Sequence, residues 1–227
     1  MKMFAGFLQV AWTLAVKDLV EEFRTRYAIT GMALFSLTTL VAVSFSVGIM
    51  ALDVMLHAAL LWIIIFFSAM SALSRSFTRE EESGTAIALR MVLIPEIIYT
   101  GKLLYNVVLL TMLLLVVVPL YMVMMNLPEG ANIALSLTIL ITGTFCLAGV
   151  ATILAAIVAR AGAKNSLLPI LTFPVLLPVL LTAIRSTGIA FAGGGFEDVS
   201  ADLIFLVSFM IIVITASLLL FTFVWED

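Results

Sequence analysis

The sequence predicts an all-α polytopic membrane protein with six transmembrane helices. An interfacial amphipathic helix precedes them, and a short cytoplasmic helix lies between the second and third. Three observations predict this class. Hydrophobic residues make up 64% of the 227 residues and charged residues only 11%, against about a quarter charged in an ordinary soluble domain. Mean hydropathy is +1.28, and apolar runs exceed the roughly 18 residues that suggest a bilayer span. They fall near 28–50, 54–74, 103–125, 132–158, 167–184 and 202–224, and no alternating barrel-type strands occur. Finally, ten of the eleven Lys and Arg residues lie on one side of these spans.

That third observation sets the orientation. Lys2, Lys17, Arg24 and Arg26 precede the first span, and Arg75, Arg79, Arg90 and Lys102 lie between the second and third. Arg160 and Lys164 follow the fourth, and only Arg185 is on the other side. The positive-inside rule puts both termini in the cytoplasm of a multi-pass inner-membrane protein, as an even number of spans requires. The net charge of −3 says little here, because acidic residues contribute little to orientation.

Residues 3–26 read as an amphipathic helix. Phe4, Phe7, Leu8, Ala11, Trp12, Ala15, Leu19 and Phe23 recur at steps of mostly three or four, with Gln9, Thr13, Lys17, Glu21 and Arg24 between them. Such a helix lies in the interface plane, with Trp12 at headgroup depth and its basic residues toward the lipid phosphates. Lys17, Asp18, Glu21 and Glu22 interrupt its apolar stretch, so no cleavable signal peptide is expected.

The first two outer connections are short: about 51–53, and 126–131 with Pro128 and Gly130. The third, from Arg185 through Gly193, Gly194 and Gly195 to Glu197 and Asp198, is the sizeable one. Its apolar Ile189, Ala190 and Phe191 suggest a dip toward the membrane, and its glycines a flexible turn. The third span, mostly Leu, Val and Met, reads as more lipid-facing than the fourth. The fourth carries small residues in rows (Ala148, Thr152, Ala156; Ala151, Ala155, Ala159), which fit either packing within the chain or a dimer seam. The fifth carries Pro169, Pro174 and Pro178. The backbone groups these free need partners in hydrocarbon, so this span is expected to bend and to pack on other helices.

Much chemistry is excluded. The lone Cys146 lies in a span, so the chain forms no internal disulfide and no thiolate cluster. His57 is the only histidine and a weak candidate for cofactor binding as an axial haem ligand; no metal site is read. No G-x-x-x-x-G-K-[ST] occurs, so nucleotide hydrolysis is expected in another subunit. No nucleophile–base constellation and no nucleic-acid patch appear. Charges at mid-depth are nearly absent from the spans, which argues against an ion-coupled pump.

What remains is the charged segment Phe77–Lys102. Ser74 to Glu82 can prolong the second span into the cytosol. Arg79, Glu80, Glu81 and Glu82 then lead through Ser83 to Gly84, which breaks the helix. Thr85 starts a new one, with Glu81 and Glu82 near its positive end. Ala86, Ile87, Leu89, Val92 and Leu93 give it an apolar body beside Arg90. Pro95 ends it, Glu96 opens the next helix, and Lys102 sits at the membrane edge, where it can snorkel. A cytosolic helix this apolar must bury its surface, and the adjoining carboxylates favour a basic protein groove over anionic lipid.

This segment resembles the coupling segment of ABC-2-type export permeases, on Glu82, Gly84, Thr85, Leu89, Pro95, Gly101 and Lys102. The whole chain resembles one family of them more closely, the cytochrome c maturation membrane subunit CcmB (haem exporter protein B). Lys17-Asp18-Leu19 followed by Glu22-Phe23-Arg24-Thr25-Arg26 is similar to that family's opening. The run 167–181 is similar to its proline-rich fifth helix, and Phe221 to Asp227 is similar to its tail. The resemblance implies a single ABC transporter transmembrane domain over 1–227. It implies a partner ATPase (CcmA) that binds ATP and docks on Arg79, Glu80, Glu81, Glu82, Gly84, Thr85, Leu89, Arg90 and Pro95. A second copy of the chain, CcmC, CcmD and the haem chaperone CcmE are the other implied partners, with ATP hydrolysis driving haem delivery or release of the loaded chaperone. Two alternatives stand beside this: a permease exporting a lipid, drug or glycan, and a membrane scaffold that transports nothing.

Overall fold

The computed structural model describes residues 2–48, 53–82, 84–127, 130–162 and 167–226. Ser83, Pro128, Lys164 and Asp227, like residues 49–52 between the first two spans, lie outside the described residues. Among those described, every regular element is a helix and none is a strand: α1 (Lys2–Thr25), α2 (Tyr27–Val47), α3 (Val54–Leu73), α4 (Thr78–Glu82), α5 (Thr85–Val92), α6 (Pro95–Met125), α7 (Ile133–Arg160), α8 (Leu167–Phe191) and α9 (Phe196–Glu226). Six of them, α2, α3, α6, α7, α8 and α9, are long and apolar enough to cross a membrane, matching the six predicted spans.

Local chemistry explains the boundaries. Arg26 takes the left-handed conformation (φ 54°) and separates α1 from α2. The first N–H groups of α2 have no capping side chain of their own; Ala28 and Ile29 donate instead to Glu22 Oε1, at 2.7 and 3.0 Å. Asp53 caps α3 by accepting from the Met55 amide at 3.1 Å, and Asn132 caps α7 by accepting from the Leu135 amide at 3.1 Å. Pro95 occupies the first turn of α6, where its missing N–H costs nothing.

The structure corrects or refines four expectations. The third outer connection is only a turn, because α8 runs on to Phe191 and α9 starts at Phe196. Ile189, Ala190 and Phe191 are helical, the last two buried, and do not dip back as a loop. No residue from 185 to 191 breaks a helix; Gly193 (φ 85°) does, and Gly194 donates back to the Ile189 carbonyl at 2.9 Å. A Cβ on Gly194 would lie 2.8 Å from that oxygen, so the glycine is sterically required. Second, α6 is more lipid-facing than α7, with 39% of its apolar window buried against 67%, but it also packs on α1, α2, α3, α7 and α9. Third, the helix from the second span is interrupted by a turn over residues 74–77 before α4. Fourth, α8 packs on α3, α7 and α9 as expected of the fifth span, but Pro174 and Pro178 themselves sit on its exposed side.

The small-residue rows of α7 are resolved between their two readings. Ala148, Ala151, Thr152, Ala155, Ala156 and Ala159 are all buried within the single chain, so they serve intramolecular packing. With no hydrophobic drive between helices in lipid, close backbone approach is what holds a bundle. Accordingly α7 is the central helix, touching α3, α4, α6, α8 and α9. Its apolar window is 67% buried, against 17% for α9 at the periphery.

The amphipathic helix is also present, with a division its periodicity did not show. Ala11, Leu14, Ala15, Asp18 and Glu22 form a buried stripe, while Leu8, Trp12, Val16, Val20 and Phe23 are exposed. The buried stripe packs on α6. Close approach depends on Gly101, whose Cβ would lie 2.8 Å from Leu14 Cδ2 and 3.0 Å from the Ala11 carbonyl oxygen. Gly101→Ala is therefore expected to push α1 off α6. Overpacking of about 1–3 kcal/mol outweighs the roughly 1 kcal/mol of helix propensity gained. Faster proteolytic cleavage within residues 2–25, with a lowered Tm, is the measurement; unchanged cleavage would refute the contact.

Candidate functional site at the α1 end of the bundle

The charged residues of Phe77–Lys102 meet those of α1 in a closed ring. Lys17 Nζ lies 3.0 Å from Asp18 Oδ1 and 3.0 Å from Glu80 Oε1. Lys102 Nζ lies 2.9 Å from Asp18 Oδ2 and 3.0 Å from the same Glu80 oxygen. Two ammonium groups and two carboxylates thus alternate around a neutral quartet. It joins α1, α4 and α6, and Thr85, whose hydroxyl donates to the Glu80 carboxylate, ties in α5. Asp18, Glu80 and Lys102 are buried, and Lys17 forms the half-exposed edge.

Electrostatics explain how charges persist there. Burial alone would raise the Glu80 carboxyl. The charge of Lys102, the hydrogen bond from Thr85 and those from Lys102 and Lys17 outweigh it and hold the group at about 2. Burial likewise opposes the Lys17 ammonium, but Asp18 and Glu80 prevail and raise its pKa.

The predicted site residues separate into two sets. Glu80 is buried, Thr85 is exposed but donates its hydroxyl to the Glu80 carboxylate, and Lys102 is 3% exposed, held by carboxylates instead of snorkelling. Lys17 is engaged with Asp18 and Glu80 instead of lipid phosphates. The other charged residues pair nearer the surface. Arg79 pairs with Glu21 of α1, Glu82 approaches Arg75 at 3.4 Å, and Glu81 accepts from Arg90 at 3.0 Å. It is Glu80, not Glu81 or Glu82, that bonds at the start of α5, because the turn over 74–77 resets the register of α4. Gly84 holds φ 71°, a conformation that favours glycine, and lets the chain reverse into α5. Leu89 packs against the core and Pro95 opens α6.

The outer surface of α5 is apolar. Ile87 is 59% exposed, Met91 81%, Val92 78% and Ile94 54%. Arg90 anchors this helix to the end of α9: its guanidinium lies 4.9 Å from the Trp225 ring. Trp225 stacks on Phe221 with centroids 5.4 Å apart, and Phe77 lies 5.8 Å from both rings. Displacement of α5 thus bears directly on α9, on the α3–α4 turn and on the quartet.

His57 is elsewhere, buried in α3. Its Nδ1 lies 3.3 Å from the Tyr121 hydroxyl, which donates to the His57 carbonyl at 2.9 Å. Among the described residues, no group of three or more His, Cys, Asp or Glu side chains is placed to hold a metal. The ring has the setting of a satisfied core histidine.

Sequence reasoning placed Glu80 and Thr85 in the site but missed Lys17, Asp18 and Lys102 as members. The signal was available, since Lys17-Asp18 and Gly101-Lys102 are among the residues carrying the family resemblance. Comparison with curated proteins finds no match for the chain. The family described as CcmB protein matches residues 9–225, nearly the whole length, and with six membrane-capable helices around this site the chain is a multi-pass membrane protein of the CcmB family.

Proposed function

We propose that this chain is the permease subunit of an ATP-driven complex in cytochrome c maturation, and that α5 receives the stroke of a partner ATPase. The exposed apolar row Ile87, Met91, Val92 and Ile94 carries this reading. A surface this apolar at a bundle end needs a partner. Rim carboxylates Glu81 and Glu82 favour a basic groove, while the buried quartet and the Arg90–Trp225 contact connect that surface to α1, α6 and α9. ATP is bound and hydrolysed by the partner. Two copies of this chain pair with two ATPases, and the assembly, with CcmC-like and CcmD-like proteins, serves haem delivery to a CcmE-like chaperone or its release. Both termini and α5 face the cytoplasm of the inner membrane, which the ten-to-one distribution of Lys and Arg supports.

The test is co-purification. The double variant Ile87→Asp, Met91→Asp is expected to insert normally and to lose the ATPase by at least about tenfold, each buried apolar anchor contributing about 1.5–3 kcal/mol. Undiminished co-purification with normal ATPase stimulation would overturn the assignment.

A further inference from the structure

Arg24 and Arg26 stand at the corner where α1 ends and α2 begins. Both are exposed, and no carboxylate among the described residues forms an ion pair with either. The acidic residues of α1 explain this, because each is committed elsewhere. Asp18 belongs to the quartet with Lys17 and Lys102. Glu21 pairs with Arg79. Glu22 is buried and accepts from the Ala28 and Ile29 amides and from the Tyr105 hydroxyl. Two guanidinium groups are therefore left uncompensated at one corner of the fold.

The surface leading to that corner is apolar. Trp12, Val16, Val20 and Arg24 follow at four-residue steps, which sets them in one row along α1. All four are exposed, and so is Phe23 beside the end of the row. The stripe of Ala11, Leu14, Ala15, Asp18 and Glu22 is the one that packs on α6, so the row points away from the bundle. It is an apolar strip that ends in one guanidinium, with the second two residues further on. Arg26 holds φ at 54°, a conformation that glycine adopts with less strain, so the corner keeps a charged side chain where a bare backbone would fit better.

Position and charge select the occupant. The first membrane-capable helix starts at Tyr27, so the corner lies where a span leaves the bilayer. An apolar strip at that depth meets acyl chains, and guanidinium groups bind phosphate oxygens in bidentate fashion. A zwitterionic headgroup brings its own cation, whereas an anionic one leaves a charge for these two arginines to balance. We propose that the α1–α2 corner binds an anionic phospholipid, with its phosphate at Arg24 and Arg26 and its acyl chains along Val16, Val20 and Phe23.

Native mass spectrometry of the full chain, in whatever complex it purifies, tests this with equimolar phosphatidylglycerol, phosphatidylethanolamine and phosphatidylcholine. A basic residue near a membrane surface favours anionic lipid by roughly fivefold, so phosphatidylglycerol is expected to be retained about twenty-fivefold over the other two. Arg24→Gln and Arg26→Gly are each expected to lower that preference about fivefold, and together to abolish it. Arg24 is an exposed helix position and glycine suits the left-handed corner, so both variants keep the fold. Arg160→Gln removes the same charge from the end of α7, at the same end of the bundle, and is expected to leave the preference unchanged. An equal loss with Arg160→Gln would mean diffuse attraction to a basic end and would overturn the site. Equal retention of the three lipids, or a preference unmoved by the double variant, would overturn it as well. Binding of inorganic phosphate at these arginines without retention of phosphatidylglycerol would also refute it, since the apolar strip would then have no part in binding.

Discussion

Lys102→Met is expected to destabilise the protein by about 3–5 kcal/mol, the cost of leaving a buried charge uncompensated. Lys102 is the most enclosed member of the quartet and contacts both of its carboxylates. Without it, Asp18 and Glu80 share one half-exposed ammonium. Adding Glu80→Gln restores neutrality, since Lys17 then balances Asp18 alone, so the double variant should recover part of the loss. A Lys102→Met protein within about 0.5 kcal/mol of the parent would show that the quartet contributes nothing. The same ring sets a pH dependence. Glu80 titrates at about 2 in the folded state, below its ordinary value of 4.5. The folded state therefore binds fewer protons than the unfolded one in this window. The contribution is full above about pH 4.5 and is lost as pH falls toward 2. Unfolding between pH 6 and 3 should show a steeper loss of Tm in the parent than in Glu80→Gln.

The second large effect is expected from Gly143→Ala. The added Cβ would lie 2.4 Å from Trp62 Cη2 and 3.1 Å from Cζ2. The ring cannot easily retreat, because Trp62 is fully buried and its Nε1 donates to Thr187 Oγ1 of α8 at 3.0 Å. Overpacking of about 1–3 kcal/mol follows, with α3, α7 and α8 forced apart. Trp62→Phe removes the clashing ring edge, so the pair Gly143→Ala, Trp62→Phe should cost less than the sum of the single changes. Strict additivity in thermal unfolding would mean that the two residues do not share the space the structure assigns them.

Gly143 and Trp62 show where sequence reading stops. Each is unremarkable in an apolar run; only their contact across α3 and α7 makes the glycine obligatory. Gly101 differs, because it stood in a recognisable Gly-Lys pair, yet its packing against Ala11 and Leu14 could not be read from that pair. The outer connection after Arg185 was misjudged for a simpler reason. Its helix continues through residues that neither favour nor forbid a turn, and the stop comes only at Gly193. The third span is more lipid-facing than the fourth, as its residues suggest, but its packing on five helices was not legible, because Leu, Val and Met serve equally against lipid and against another helix.

What the sequence by itself determined is the number of spans, their sidedness bias, the amphipathic first helix and the family. Those properties depend on the transfer of short segments into lipid and on charges outside them, and both are local. The tertiary structure alone decided which charges are buried and paired, which faces of α1 and α7 are internal, and which side of α5 is left apolar and open. Lys17, Glu80 and Lys102 lie 63 and 22 residues apart along the chain. No local rule joins them. They meet because α1 lies against α6 at Gly101 and the turn over 74–77 directs Glu80 inward, where the low dielectric makes pairing obligatory.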